Sequence, residues 1–296
     1  MSATAGFFIG VFFTLVLFLL IVLCIIFSKR NSFLLGYNNA LESFCESLDE
    51  PSYREEAYIP EDYGTYEKNL AVALIDISIA STQSYCKNID PIPLPPGFDN
   101  QISLVHKTVV YGHIFWNTTY ACIVLSGTMS APEWRADFDS KLVPATILTN
   151  YKEGVKCHQG FYGLYVLIRP IIWNWLNSHS DITTIFITGH SLGGALSTIA
   201  AYDLAQYTPI HYSFAAPRSG NVLYAKNFNE LVPQSLRVNN TEDIVPQLPP
   251  ATWRDQTYEQ TGNSIPFTKS LGSLPLDHVL AYKDFLPECF DNVAIC

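Results

Sequence analysis

The stretch Thr184–Ala205, TIFITGHSLGGALSTIAAYDLA, changes its periodicity at its centre. Ile185, Phe186 and Ile187 are β-branched or aromatic, as a buried strand requires, whereas Ala195, Leu196, Ile199, Ala200 and Leu204 recur at helical spacing. Between them stands Gly189-His190-Ser191-Leu192-Gly193, a Gly-x-Ser-x-Gly joining strand to helix. In that context the pattern fits a nucleophile elbow. The serine occupies a sharp turn, the flanking glycines let strand and helix approach closely, and the hydroxyl stands at a helix N-terminus. Ser191 is therefore the candidate nucleophile, weighed against a chance match in a glycine-rich turn.

Serine near neutral pH needs a base to take its proton and an acid to orient that base. On this elbow the chain order is serine, acid, histidine. Only His211 and His278 lie downstream. His211 falls inside the strand Ile210–Phe214, where a hydrogen-bonded structural role fits better. His278 opens the last helical segment, Asp277–Phe285, and is the candidate base. Between serine and base, Asp203 lies far down the elbow helix and Asp255 has no anchoring strand. Asp243 follows the strand Ser235–Asn239 and precedes Val245-Pro246, so it projects beyond a strand end, where open α/β sheets place their sites. Glu242 is its close rival. An acyl-transfer site also needs two donors for the oxyanion. Leu192 N–H is one by elbow geometry, and Thr128, in Ser126-Gly127-Thr128 at the end of the apolar run Cys122–Leu125, is the second candidate.

The remaining elements follow the same pattern. Asn38–Glu50 is a weak helical candidate, Pro51–Glu67 reads as a polar linker, and Asn69–Tyr85 suits a helix packed on a sheet. Pro91–Gly97 ends it, since four prolines in seven residues fit neither helix nor central strand. Val105–Trp116 and Thr119–Leu125 read as two strands around a turn at Asn117-Thr118. Tyr162–Leu176 reads as a helix kinked or restarted at Pro170, and Tyr224–Val232 as another. Alternating strands and helices imply a mainly parallel sheet covered on both faces.

Phe7–Phe27 carries no charge and as a helix spans about 31 Å, enough for a bilayer core of roughly 30 Å. The expectation is an N-terminal transmembrane helix and a single-pass membrane protein. Residues 1–30 are then the anchor, 31–68 a linker and 69–296 one α/β domain. The side of the membrane stays open. Lys29 and Arg30 favour a cytoplasmic domain, whereas Cys45, Cys86, Cys122, Cys157, Cys289 and Cys296 permit three disulfides in an oxidising compartment. The sequons at Asn117 and Asn239 decide little, because roughly two or three such triplets arise by chance in this composition. A net charge of −10 argues against nucleic acid and against electrostatic adsorption to anionic lipid. No metal-ligand spacing is present: Cys157 and His158 are only adjacent, and His158 reads as structural. The chemistry needs no cofactor.

Taken in order, Ser126-Gly127-Thr128, His158-Gln159-Gly160-Phe161, the elbow through Ala195, Phe214–Asn221, Asp243–Pro250 and Asp277-His278 resemble the class 3 lipases, the fungal triacylglycerol lipase and diacylglycerol lipase group. The resemblance runs from about residue 69 to 286. It implies an α/β-hydrolase fold and hydrolysis of carboxylic esters of glycerolipids by Ser191, Asp243 and His278, with Thr128 and Leu192 as oxyanion hole. The implied partners are a lipid ester and a lipid or membrane surface. It also implies a lid after Thr128, where Trp134 and Phe138 lie on a short amphipathic stretch. Two features depart from the family: Ser126 stands where it often has Arg, and the secreted fungal enzymes lack the N-terminal span. Two further enzymatic readings stay open, a phospholipase A1 and a feruloyl-type esterase. The reading from another class is a lipase-like binding module without turnover.

Overall fold

Alternating and continuous apolar runs pair into one dominant sheet. The computed structural model describes residues 50–54, 59–60, 67–127, 141–273 and 276–286. The sheet comprises β1 (Asn100–His106), β2 (Val109–Trp116), β3 (Tyr120–Leu125), β6 (Thr184–His190), β7 (Ile210–Phe214), β9 (Ser235–Asn240) and β12 (Asn263–Phe267), in the spatial order β1-β2-β3-β6-β7-β9-β12. β1, β2 and β3 pair antiparallel, and β3, β6, β7, β9 and β12 run parallel. The five parallel strands end together, so the residues after β6, β9 and β3 share one edge. A smaller antiparallel sheet joins β4 (Leu142–Pro144), β5 (Lys156–His158), β8 (Gly220–Asn221), β10 (Thr252–Trp253) and β11 (Gln256–Glu259).

Both faces of the large sheet are covered, because its central strands send apolar side chains to both sides. On one side Ala121, Ile123, Leu125, Ile185 and Ile187 pack with α2 (Gln159–Ser178), α3 (Leu192–Asp203) and α4 (Val222–Leu231). On the other, Cys122, Val124, Phe186, Phe214 and Val238 meet α1 (Lys68–Lys87) and the π-wound helix α5 (Leu276–Phe285). Each buried Leu, Ile, Val or Phe contributes about 1.5–3 kcal/mol. Pro170 lies inside α2, which runs on to Ser178. Asp203, fully buried at the end of α3, accepts from Thr149 N at 2.7 Å, Tyr165 Oη at 2.8 Å, Arg169 Nε at 2.8 Å and Trp173 Nε1 at 2.9 Å. That carboxylate clamps α2 to α3.

Two expectations are corrected. Val105–Trp116 is not one strand: the chain reverses at Lys107-Thr108, pairing Val105 with Val110 and His106 with Val109. Lys107 takes the left-handed φ of 57° without glycine or asparagine to signal the turn. The single-pass membrane protein with a transmembrane helix is likewise corrected. Among the described residues no helix is long and apolar enough to cross a membrane. The two 20-residue helices carry Lys68, Asp76 and Arg169, and the last two are bonded into the interior. The segment Phe7–Phe27 itself, like Asn38–Asp49, lies outside the described residues. The cysteines, whose pairing the sequence leaves open, do not all pair. Cys122 and Cys157 are buried free thiols, and burial raises both well above the usual thiol range, whereas Cys86 is disulfide-bonded.

His211 is structural, as expected. Its Nδ1 lies 2.8 Å from Ser235 Oγ, and its Nε2 lies 3.0 Å from Ser197 Oγ, which donates to Gly194 O. Burial pushes its imidazole down to about 3, and that of His113 down to about 4 against the opposing Asp90 carboxylate. Both rings are neutral in the fold and take a proton when the chain unfolds in acid, near pH 6.5. Their contribution is thus complete above pH ~6.5 and lost as pH falls toward 4 and 3, at up to about 1.4 kcal/mol per pH unit per ring. The urea midpoint is expected to fall between pH 7 and pH 5, and His211→Gln to flatten that fall. A midpoint constant over this interval contradicts the assignment.

Candidate active site

Ser191 begins at backbone geometry. It sits at φ 60° and ψ −126°, a conformation that costs a non-glycine residue about 1–3 kcal/mol, between the last residue of β6 and the first of α3. Ser191 N donates to Phe214 O at 2.9 Å and Ser191 O accepts from Ala195 N at 3.2 Å, which ties the turn to β7 and to its own helix. The glycines around it leave no room for a side chain. A Cβ at Gly189 would lie 2.2 Å from Gly193 O, and one at Gly193 would lie 2.1 Å from Leu125 O. The elbow is thereby pressed against the end of β3, where Ser126-Gly127 begins.

Asp243 and His278 meet beside it. Asp243, 2% exposed in the loop after β9, accepts from His278 Nδ1 at 2.8 Å and from the Tyr282 hydroxyl at 3.0 Å through Oδ2, and from Val245 N at 3.0 Å through Oδ1. Its rivals stand elsewhere: Glu242 and Asp255 are exposed, and Asp203 is occupied by the α2 clamp. Burial raises the Tyr282 hydroxyl well above its usual value, with the Asp243 charge adding to it, so the phenol stays a donor. With its Nδ1 proton committed to Asp243, His278 keeps an acceptor lone pair on Nε2, a buried atom with no hydrogen-bond partner. That atom is the open acceptor of the Asp243–His278 pair.

The elbow residue before the serine holds the histidine in place. His190 Nε2 donates to the main-chain oxygen of His278 at 2.7 Å, and the two rings lie 4.7 Å apart. Burial, then the neighbouring His278, push His190 well below the usual imidazole value, so it is neutral and its tautomer is set by the carbonyl. Asn240 completes the support. Its Nδ2 donates to Lys269 O at 2.7 Å and Asp277 O at 3.1 Å, while its backbone N donates to the Tyr282 hydroxyl at 2.8 Å.

Of the two expected oxyanion donors, Leu192 N heads α3, where helix geometry leaves the N–H without an intrahelical acceptor. Thr128, and the lid residues Trp134 and Phe138, lie outside the described residues. The strand end leading to Thr128 is well held. Gly127 N donates to Thr82 Oγ1 at 3.1 Å, Ser126 Oγ donates to Ser81 O at 3.0 Å, and Ser81 Oγ lies 3.1 Å from His113 Nδ1. So Ser126 has an anchor of its own where the lipase family often carries Arg. His158 is structural, capping α2 and stacking 3.8 Å from Phe161. Sequence reasoning did not reach His190, Asn240, Tyr282, Ser81 or Thr82. The one available signal was the unusual run of small polar residues on an otherwise buried helix, Ser78, Ser81, Thr82 and Ser84.

Residues 122–253 match the family model for lipase (class 3). Over this segment the chain is similar to that family. The segment contains Ser191, Leu192 and Asp243, while His278 follows it. Relatives include an Arabidopsis thaliana chloroplastic galactolipase, 30% identical over 155 residues, 43% of this chain and 33% of the relative. A phospholipase A1-II 1 from Oryza sativa subsp. indica is 31% identical over 175 residues, 50% of this chain and 44% of the relative. The chain thus spans well under two thirds of these relatives' length. Among solved structures, a mono- and diacylglycerol lipase from Aspergillus oryzae superposes with a TM-score of 0.56 at 21% identity, covering 71% of this chain and 82% of that one. Rhizomucor miehei triacylglyceride lipase gives 0.53 at 22%, covering 67% and 79%. At that identity the likeness establishes a shared fold and nothing more.

Elbow packing gives a direct test. Gly193→Ala places a methyl group 2.1 Å from Leu125 O, against backbone that cannot rotate aside. The expected cost is at the upper end of overpacking, roughly 3 kcal/mol. Thermal unfolding several degrees below wild type is expected, and an unshifted midpoint rejects the close approach.

Proposed function

We propose that this protein is a serine hydrolase that cleaves carboxylic esters of glycerolipids. The observation that carries the reading is the buried Asp243–His278 pair with an unpartnered Nε2, held by His190 against the turn that bears Ser191. In this reading His278 Nε2 takes the Ser191 proton as Oγ attacks the ester carbonyl, and Asp243 stabilises the imidazolium that forms without itself being protonated. Leu192 N–H and Thr128 hold the oxyanion. His278 then returns the proton to the departing alcohol, and water, activated by the same nitrogen, releases the acid from the acyl-enzyme. Tyr282 and Asn240 are positioning residues for the acid and for the loop that carries the base.

Substrate class is argued from the relatives. Those matched in sequence are named phospholipases A1 and a galactolipase, which favours a glycerolipid with a polar headgroup over triacylglycerol. Ile244, next in sequence to Asp243, is 46% exposed and offers an apolar surface to an acyl chain. A lipid surface is the partner this reading implies.

A fluorophosphonate probe is expected to label the wild-type chain and not Ser191→Ala. A folded wild type that resists the probe rejects the hydrolase and favours a binding module. Profiling with phosphatidylcholine, galactolipid, triacylglycerol and a feruloyl ester is expected to give the highest kcat/KM on the first two. Preference for the feruloyl ester would reassign the substrate. Tyr282→Phe removes one donor from Asp243 and is expected to lower kcat on the order of tenfold, about 1.4 kcal/mol, with KM little changed. Wild-type kcat in this variant rejects the positioning role.

A further inference from the structure

Two sequons in the chain were left open by composition, and the fold separates them. Asn117-Thr118-Thr119 forms the turn between β2 and β3, and Thr118 and Thr119 are exposed. Asn117 Oδ1 accepts from Thr119 N at 2.7 Å and Tyr120 N at 2.9 Å, and its Nδ2 donates to Gly97 O at 2.7 Å. An amide nitrogen carries two hydrogens, so this bond uses one of them. The other is left for substitution without breaking any contact of the turn. Asn239 is placed differently. It lies inside β9, opposite Pro266 of β12, and its Oδ1 accepts from Arg237 Nη1 at 2.9 Å and Ser264 Oγ at 3.0 Å. It also stands four residues before Asp243, at the edge of the sheet that carries the site.

We infer that Asn117 is an N-glycosylation site of this protein. The compartment that performs this modification is an oxidising one, and Cys86 of the chain is disulfide-bonded. The ligand is an oligosaccharide delivered from a lipid-pyrophosphate donor by an oligosaccharyltransferase. The bond from the anomeric carbon to the phosphate oxygen breaks, its electron pair leaves with the lipid pyrophosphate, and a bond forms from the anomeric carbon to Asn117 Nδ2. One Nδ2 proton goes to the transferase base, and nothing is oxidised or reduced. The fold tolerates the product. The turn lies where β3 and β6 begin, at the pair Tyr120–Thr184, whereas Ser191 follows the opposite end, at Leu125–Gly189. Five residues of strand, about 17 Å, separate the two ends, so a glycan on the turn leaves the site open.

The test uses the full chain with its own N-terminus, expressed in cultured eukaryotic cells and treated with peptide-N-glycosidase. Wild type is expected to lose the mass of one glycan on digestion, with the modified residue located at Asn117 by peptide mass spectrometry. Asn117→Gln also removes the acceptor that orders the turn, so the decisive variant is Thr119→Ala. It leaves every hydrogen bond of Asn117 in place and removes the exposed hydroxyl that the transferase requires. Thr119→Ala is expected to abolish the shift, Thr119→Ser to restore it, and Asn239→Gln to leave it unchanged. An unmodified Asn117 peptide from the wild-type chain, or a full shift in Thr119→Ala, overturns the inference.

Discussion

Everything at the sheet edge that bears Ser191 depends on one steric constraint, the contact of the elbow with the end of β3. Gly193 approaches Leu125 O so closely that a Cβ there would sit at 2.1 Å, and Gly189 closes in the same way on Gly193 O. Removing two side chains lets a strand, a turn and a helix occupy space that ordinary residues could not share. Ser191 is left in a strained left-handed conformation, which its hydrogen bond to Phe214 O and the burial of β6 and α3 hold in place. Apolar burial on both faces of the sheet offsets that strain.

Around that contact the polar groups form two buried systems. One runs from Asn240 and Tyr282 through Asp243 to His278, and returns to the elbow through His190. The other joins Thr82 and Ser81 of α1 to Gly127 and Ser126 at the end of β3. Unpaired polar groups are costly in such an environment, so each network specifies one geometry. The single buried acceptor left over among the imidazoles of the first system is His278 Nε2. An open lone pair beside the elbow is what the proposed general base requires.

Much of this was legible in residue order. The elbow announced itself because period-2 and period-3.6 patterns meet at a five-residue glycine-bearing turn, and Asp243 and His278 followed from the order of strands and loops. The hairpin turn at Lys107 was not legible, since its residues carry no turn preference. β12 was missed because Asn263–Phe267 contains Pro266 and alternates poorly. The cysteine count left the pairing open, since an even number says nothing of which thiols face each other, and Cys122 and Cys157 lie inside the apolar core.

By itself the sequence determined the alternation of strands and helices, the position of the elbow and the chemical types available to it, because these depend on local periodicity and on residue identity. Tertiary structure alone decided between Asp243 and its close rival Glu242 as the partner of His278, made Asp203 a structural clamp, and set His190 and Tyr282 against His278 and Asp243. The same holds for the contrast between Asn117 on an exposed turn and Asn239 within a strand. Those outcomes rest on distances of about 3 Å between groups 34 to 88 residues apart, such as His190 and His278. Only closure of the sheet brings such groups together, and no local pattern encodes it.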